Sequence, residues 1–235
     1  MAEYGSGAYF IKRKNGGGGK GAAILVIVLL ALTAGIILLA VFLPKRTDDG
    51  NTAGAPVSNG EKKFYYLVTG ESGELTTALL MVQECSARGG AGYLFNDGTY
   101  RSVAAVYDRE SDAKDLAAVN DGASYFSLAF SSSSLKEKDK SALSYAVGEF
   151  FITLTDAAKE LDRGTITDSA ADCAAALACR KLKTLSLSVQ NAALSRAFDI
   201  ASEYDAVGDS RSLLSYIRFV HVRATVEIYY ALSVL

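Results

Sequence analysis

Histidine occurs once, tryptophan not at all, proline twice and cysteine three times in the 235 residues. The lone His221 has no second imidazole to work with, and no cysteine or carboxylate lies near it at metal-ligand spacing, so neither a metal site nor a histidine-based catalytic set is predicted. It reads as a partly exposed structural histidine. An odd number of cysteines excludes a fully paired disulfide framework. Cys173 and Cys179, six apart on an expected helix, fall on different sides of it and do not bridge each other. Buried free thiols are expected, and the spacing leaves a link from Cys85 to either helical cysteine open. Acidic residues are scattered, so no pair stands out as the acid and nucleophile of a glycosidase. The chain therefore reads as a binding protein, with no catalytic residue, metal or cofactor predicted. An excess of positive charge is also lacking, since 24 Lys and Arg face 26 Asp and Glu for a net charge of -2, which removes the usual basis for tracking a nucleic-acid backbone.

Both prolines, Pro44 and Pro56, fall in one short stretch, and that stretch divides the chain. Before it, Ala22 to Leu43 (AAILVIVLLALTAGIILLAVFL) carries no charge and is long enough for a helix to cross a hydrocarbon core of about 30 Å. A cleaved signal is excluded by its length and by Val41-Phe42-Leu43-Pro44, which offers no small-residue cleavage site. Lys12, Arg13, Lys14 and Lys20 precede the span, whereas Lys45 and Arg46 follow it and are trailed by Asp48 and Asp49. The cation bias predicts a single-pass protein with residues 1–21 as a cytoplasmic tail, a transmembrane helix over 22–43 and the remainder outside the cytoplasm. Gly16 to Gly19 lack the strand and the Ser or Thr of a phosphate loop and read as a tether. Residues 44–62, rich in Gly, Asn, Thr and Ser, read as a flexible linker.

An α+β fold is expected beyond the linker. FYYLVT (Phe64 to Thr69) has strand character, LTTALLMVQECSA (Leu75 to Ala87) has helix character, and Gly89-Gly90 end it. AGYLFN and RSVAAVYD flank Asp97-Gly98, a strong hairpin signal because both positions tolerate positive φ. SDAKDLAAV then reads as a helix and Ser124 to Phe130 as a last strand. The order βαββαβ predicts a split-βαβ (ferredoxin-like) plait over residues 63–131, with two helices on one sheet face and the other face open. Arg101 to Asp108 does not match the aromatic motif of RNA-binding plaits, and the acidic loop GESGE (Gly70 to Glu74) does not suit an acylphosphatase phosphate cradle.

The run FYYLVTGES followed by ARGGAGYLFNDGTYRSVAAVYDRESDAKDL resembles the SPOR (sporulation-related repeat) domain. The matching residues are Gly89-Gly90-Ala91-Gly92-Tyr93, Tyr100-Arg101, and Tyr107 with Asp112-Ala113. The resemblance implies a domain carried by a membrane helix and linker that binds septal peptidoglycan, in particular glycan strands stripped of stem peptides, in bacterial cell division or sporulation. Val68 stands where the family has Gln on its ligand-facing surface, and Ser102 where it has Val. Strand alternation assigns Arg101 to the open face with Thr99, Val103 and Ala105, and turns Ser102, Ala104 and Val106 toward the helices. Tyr66, Val68, Tyr125 and Ser127 are expected to share the open face, and Tyr100 carries the family's Tyr-Arg step. A glycan site of Tyr66, Val68, Thr99, Tyr100, Arg101, Val103, Tyr125 and Ser127 follows, in which tyrosines stack on sugars while Arg101 and the hydroxyls bond to them. The plain alternatives are strand packing for the tyrosines and an ion pair with Asp97 or Asp108 for Arg101.

Residues 132–235 read as a helical domain. SSSSLKEKDK resembles a polar hinge, and Leu143, Val147, Phe150, Leu154, Ala157 and Leu161 then form one apolar stripe, capped by Asp139 or Ser141 and ended by Gly164. Thr165 with Asp168 suggests a capping box for a second helix that, unbroken to Val207, would run about 60 Å, so a break near Ser186 or Ser188 is expected. The last stretch fits a strand by alternation and a helix by the series Leu213, Ile217, Val220, Ala224, Ile228, Ala231; a helix, completing a three-helix bundle, is chosen. Two functions follow. One is a membrane-anchored glycan-binding protein whose bundle recruits a protein partner; the other is a membrane-tethered interaction scaffold whose plait has lost glycan affinity.

Overall fold

β1 (Glu61–Ser72), whose middle residues Phe64, Tyr66, Leu67 and Val68 are all buried, is one of the two inner strands of the sheet. The computed structural model describes residues 61–206 and 209–234. The transmembrane helix expected over 22–43 lies outside those residues, as does the linker expected over 44–62 except for Glu61 and Lys62, which instead begin β1. No described helix is long and apolar enough to cross a membrane. β1 is followed by α1 (Leu75–Ala87), β2 (Tyr93–Asn96), β3 (Tyr100–Tyr107), α2 (Glu110–Val119) and β4 (Ser124–Ser131). The fold is mixed α and β, with four antiparallel strands in the order β2-β3-β1-β4. The expected hairpin turn forms at Asp97-Gly98: Gly98 sits at φ 109° and donates its N–H to Asn96 Oδ1 at 2.9 Å.

The two faces of the sheet are covered differently. On one, Cys85 of α1 packs with Leu67 and Ala104 of the sheet in a small cluster that Ala117 of α2 borders. The other face was expected to stand open, and it does not. Phe64, Tyr66, Phe95, Val103, Val106, Leu128 and Phe130 are buried there in one cluster with the C-terminal helices. Those helices are α3 (Glu137–Tyr145), a π-helical turn over Ala146–Phe150, α4 (Phe151–Asp162), α5 (Asp168–Ser186), α6 (Ala192–Ala201) and α7 (Leu213–Ser233). Sheet and helices thus form one compact unit, and the core runs across the expected boundary at residues 131 and 132. Ser132 and Leu135, in the supposed polar hinge, are buried.

Two irregularities correct the expected faces. Leu67 pairs with Ala105 and Val68 with Val103, so Ala104 is an extra residue in β3. Gly70 then pairs with Ser102, which leaves Thr69 extra in β1. After each bulge the alternation resets. Val103 and Val106, three apart, therefore enter the same core, while Ala104 joins Leu67 on the other side. Tyr125 and Ser127 pair with Leu67 and Tyr65, and so lie on the opposite face from Tyr66 and Val68.

The helices follow their apolar stripes with local adjustments. The π-helical turn inserts one residue, so that both Phe150 and Phe151 are buried: Phe150 continues the stripe, and Phe151 packs edge-on against Phe64 at 5.2 Å. Asp139 caps no helix. It is buried, and its carboxylate accepts the N–H groups of Gln190 at 2.7 Å and Asn191 at 3.1 Å, clamping the loop that breaks the second long helix after Ser186. Asn191 in turn caps α6 through Leu194 N–H. The cap of α5 is Thr167 rather than Thr165, whose hydroxyl donates back to Glu160 O. The last apolar segment is helical. With α3, the π-helical turn and α4 counted as one continuous helix, four helical segments stand where three were expected.

A clasp joins the two halves. Gly89 and Gly90 turn the chain after α1, and their carbonyls accept hydrogen bonds from Arg218 Nη1 at 2.8 Å and Ser215 Oγ at 2.6 Å on α7. Ser86 and Ser215 share a further contact at 2.9 Å, and Arg218 reaches Asp162 on α4. A side chain at Gly90 would press on Cys85 Sγ, and one at Gly92, which sits at φ 55°, on Val82 O at 2.7 Å.

His221 is buried at 6% exposure beside Phe151, not partly exposed as expected, and its Nε2 has no hydrogen-bond partner. Burial lowers its pKa to about 3. The unfolded chain, with an ordinary imidazole, binds a proton below about pH 6.5, whereas the folded chain does not until far lower. Stability therefore falls as pH drops through that window, by up to roughly 1.4 kcal/mol per pH unit. Denaturant unfolding at pH 7 and pH 5 is expected to show this loss, and His221→Leu to flatten it; an unchanged slope in the variant would place the dependence elsewhere.

Candidate functional site

The residues singled out for a sugar ligand do not meet on one accessible surface. Tyr66, Val68 and Val103, at 0%, 1% and 0% exposure, lie beneath the C-terminal helices. The Tyr66 ring stacks on Phe126 at 5.0 Å, and burial pushes its hydroxyl pKa far above the ordinary value. Tyr125 and Ser127 are on the α1/α2 side, where the Tyr125 hydroxyl donates to Glu110 at 2.9 Å. Thr99 and Tyr100 are half-buried at the β2–β3 hairpin.

Arg101 sits at the rim of the buried face. Its guanidinium pairs with Asp97 and, at 3.3 Å, with Glu71, and it lies over the Phe126 ring at 5.2 Å. Glu71 also accepts from Ser124 Oγ at 3.2 Å. The ion pair with Asp97, the plain alternative for this arginine, is the arrangement observed. With two carboxylates and an aromatic ring already engaged, the group acts as a clamp across β1, the β2–β3 hairpin and β4. Its contact with Asp97 holds that carboxyl below the usual range.

An accessible concavity occurs on the opposite face. Between α1 and the loop after α2 lies a cleft of about 390 Å³, floored by Leu67, Thr69 and Ala104 and walled by Met81, Cys85, Gly90 and Ala123. It exists because Gly90, Ala104 and Ala123 leave space where larger side chains would close the layer. Glu84, Arg88, Asn120, Asp121 and Arg218 line its mouth with both signs of charge. Alternation gave no sign of this cleft. The available signal was the pair Ala104-Ala105 in the middle of a strand, together with Gly89-Gly90.

Nearby on α1, Leu75, Leu79 and Leu80 are exposed, and no charged residue occurs between Leu75 and Gln83. Among the described residues no group of three His, Cys, Asp or Glu side chains is arranged to hold a metal ion. The three cysteines are free: Cys85 and Cys179 are buried as expected, Cys173 is exposed, and burial raises the Cys179 pKa to about 12. No family model matches the chain, and neither the curated proteins nor the solved structures contain a match to it.

The lowered Asp97 pKa means that its contribution to stability is present above the ordinary carboxylate pKa of 3.8 and is lost as pH falls through the folded value. Asp97→Asn is expected to lower the thermal midpoint slightly at pH 7 and to have little effect near pH 2. Equal effects at both pH values would show that Asp97 is held by something other than its charge.

Proposed function

We propose that the chain is a membrane-tethered, extracytoplasmic protein-interaction module in which the SPOR-like plait serves as scaffold rather than as a sheet-face receptor for glycan. The observation that carries this reading is the burial of Tyr66, Val68 and Val103 beneath the protein's own helices. The cover does not have the character of a gate. Full burial of one large apolar side chain contributes roughly 1.5–3 kcal/mol, so exposing Phe64, Tyr66, Phe95 and Phe130 together would cost an amount comparable to the whole stability of a typical domain, about 5–15 kcal/mol. The charge asymmetry around residues 22–43 supports the tether and its orientation. The exposed leucines of α1, beside a cleft with an apolar floor and a mixed-charge mouth, suit a protein partner better than a uniformly hydroxylated polymer.

A second reading keeps the ligand that the resemblance implies. Thr99, Tyr100 and Arg101 remain partly accessible at the hairpin end of the sheet, and a glycan strand that met only this rim would not require the helices to move.

Sedimentation of the full chain with purified sacculi, intact and after amidase removal of stem peptides, separates the two. The scaffold reading expects no retention on either preparation. Retention on the stripped sacculi that Arg101→Ala abolishes, with the thermal midpoint within a few degrees of wild type, would overturn it in favour of rim binding.

A further inference from the structure

Among the described residues the sheet ends on one side at β4, which pairs with β1 alone. Along its outer side the backbone N–H and C=O groups meet no other strand among the described residues. Proteins ordinarily blunt such an edge with charge, proline, a bulge or brevity, because an unprotected edge recruits another strand. The opposite edge, β2, has only four residues. β4 has eight, Ser124-Tyr-Phe-Ser-Leu-Ala-Phe-Ser131, with no charged residue and no proline. Its register with β1 runs from Glu61↔Ser131 to Val68↔Ser124 without a shift, so the bulges that kink the β1–β3 pairing do not disturb it. Charge, proline, a bulge and brevity are thus all absent from this strand.

We infer that β4 is the seam of a two-fold symmetric dimer, in which a second copy of this chain adds its β4 antiparallel to the first and joins the two sheets into one of eight strands. The strand's own composition favours a second copy over a foreign segment. A two-fold axis at Ser127 sets each residue opposite the one equally far on the other side of that serine, and every pair so formed is uncharged, so no like charges are opposed along the seam. Centred on Ser127, the self-pairing sets Phe126 beside Leu128 on the helical side and Tyr125 beside Ala129 on the other. Every side chain then stays on the face it already occupies, and large residues lie next to smaller ones. Ser127, exposed in the single chain, faces its mate at the axis.

The test uses the full chain in detergent solution, with exposed Cys173 replaced by Ser. Ser127→Cys is expected to form a covalent dimer under mild oxidation about tenfold faster than Glu160→Cys, an exposed control on α4, because pairing at the axis raises the local thiol concentration. Ser127→Lys opposes two ammonium groups across the seam and is expected to weaken dimerisation by about fivefold while leaving the unfolding temperature of the single chain unchanged. A monomer in sedimentation at all concentrations overturns the inference. So do equal cross-linking rates at the two cysteines, or a dimer that the lysine leaves intact.

Discussion

The packing of α7 and Phe151 onto the aromatic face of the sheet is the contact on which the rest of the structure depends. Phe95 stacks on Phe126 at 4.9 Å and on Tyr230 at 6.4 Å, Phe64 meets Phe130 at 4.8 Å, and Phe151 links that pair to His221. Aromatic pairs at these distances add a directional term to the area they bury, so the contact fixes the position of α7 as well as its attachment. Several features follow from it. The π-helical turn brings Phe151 to the sheet, burial beside it favours the neutral form of His221, and the Gly89-Gly90 carbonyls become anchors for Ser215 and Arg218 at the start of the same helix.

The opposite face shows what happens without such packing. Its cluster contains only Leu67, Cys85 and Ala104 as buried members, and α1 leaves leucines in solvent. A core of that size contributes little to stability on its own. The sheet is therefore supported mainly from the side of the C-terminal helices, and the side that bears α1 and α2 is free to hold a cleft. A surface that bears little of the stability is one that can be given to binding at low structural cost.

Most elements were legible from local signals. Leu75–Ala87 forms as a helix over the residues its pattern predicts, Asp97-Gly98 forms the hairpin, and the stripe Leu143, Val147, Phe150, Leu154 is buried as expected. The break after Ser186 was also readable. The covered sheet face was not read, although the signal was present: Phe64, Tyr66 and Val68 on β1, and Phe126, Leu128 and Phe130 on β4, form rows too apolar for a surface in water. The order βαββαβ, which ordinarily puts both helices on one sheet face and leaves the other open, pointed the other way. The bulges at Ala104 and Thr69 were beyond period-two reasoning, because one inserted residue inverts every later assignment and leaves no mark in composition. The candidate site suffered most, since it rested on face assignment while the elements themselves did not.

The buried aromatic face also bears on how the protein is made. The four strands are complete at Ser131, but the helix that covers them begins only at Leu213, so during synthesis the sheet leaves the ribosome well before its lid. For that interval Phe64, Phe95, Phe126 and Phe130 are available to any nearby apolar chain, as in other folding intermediates with incomplete packing. The late arrival of α7 therefore sets the moment at which this aromatic face is closed to other chains.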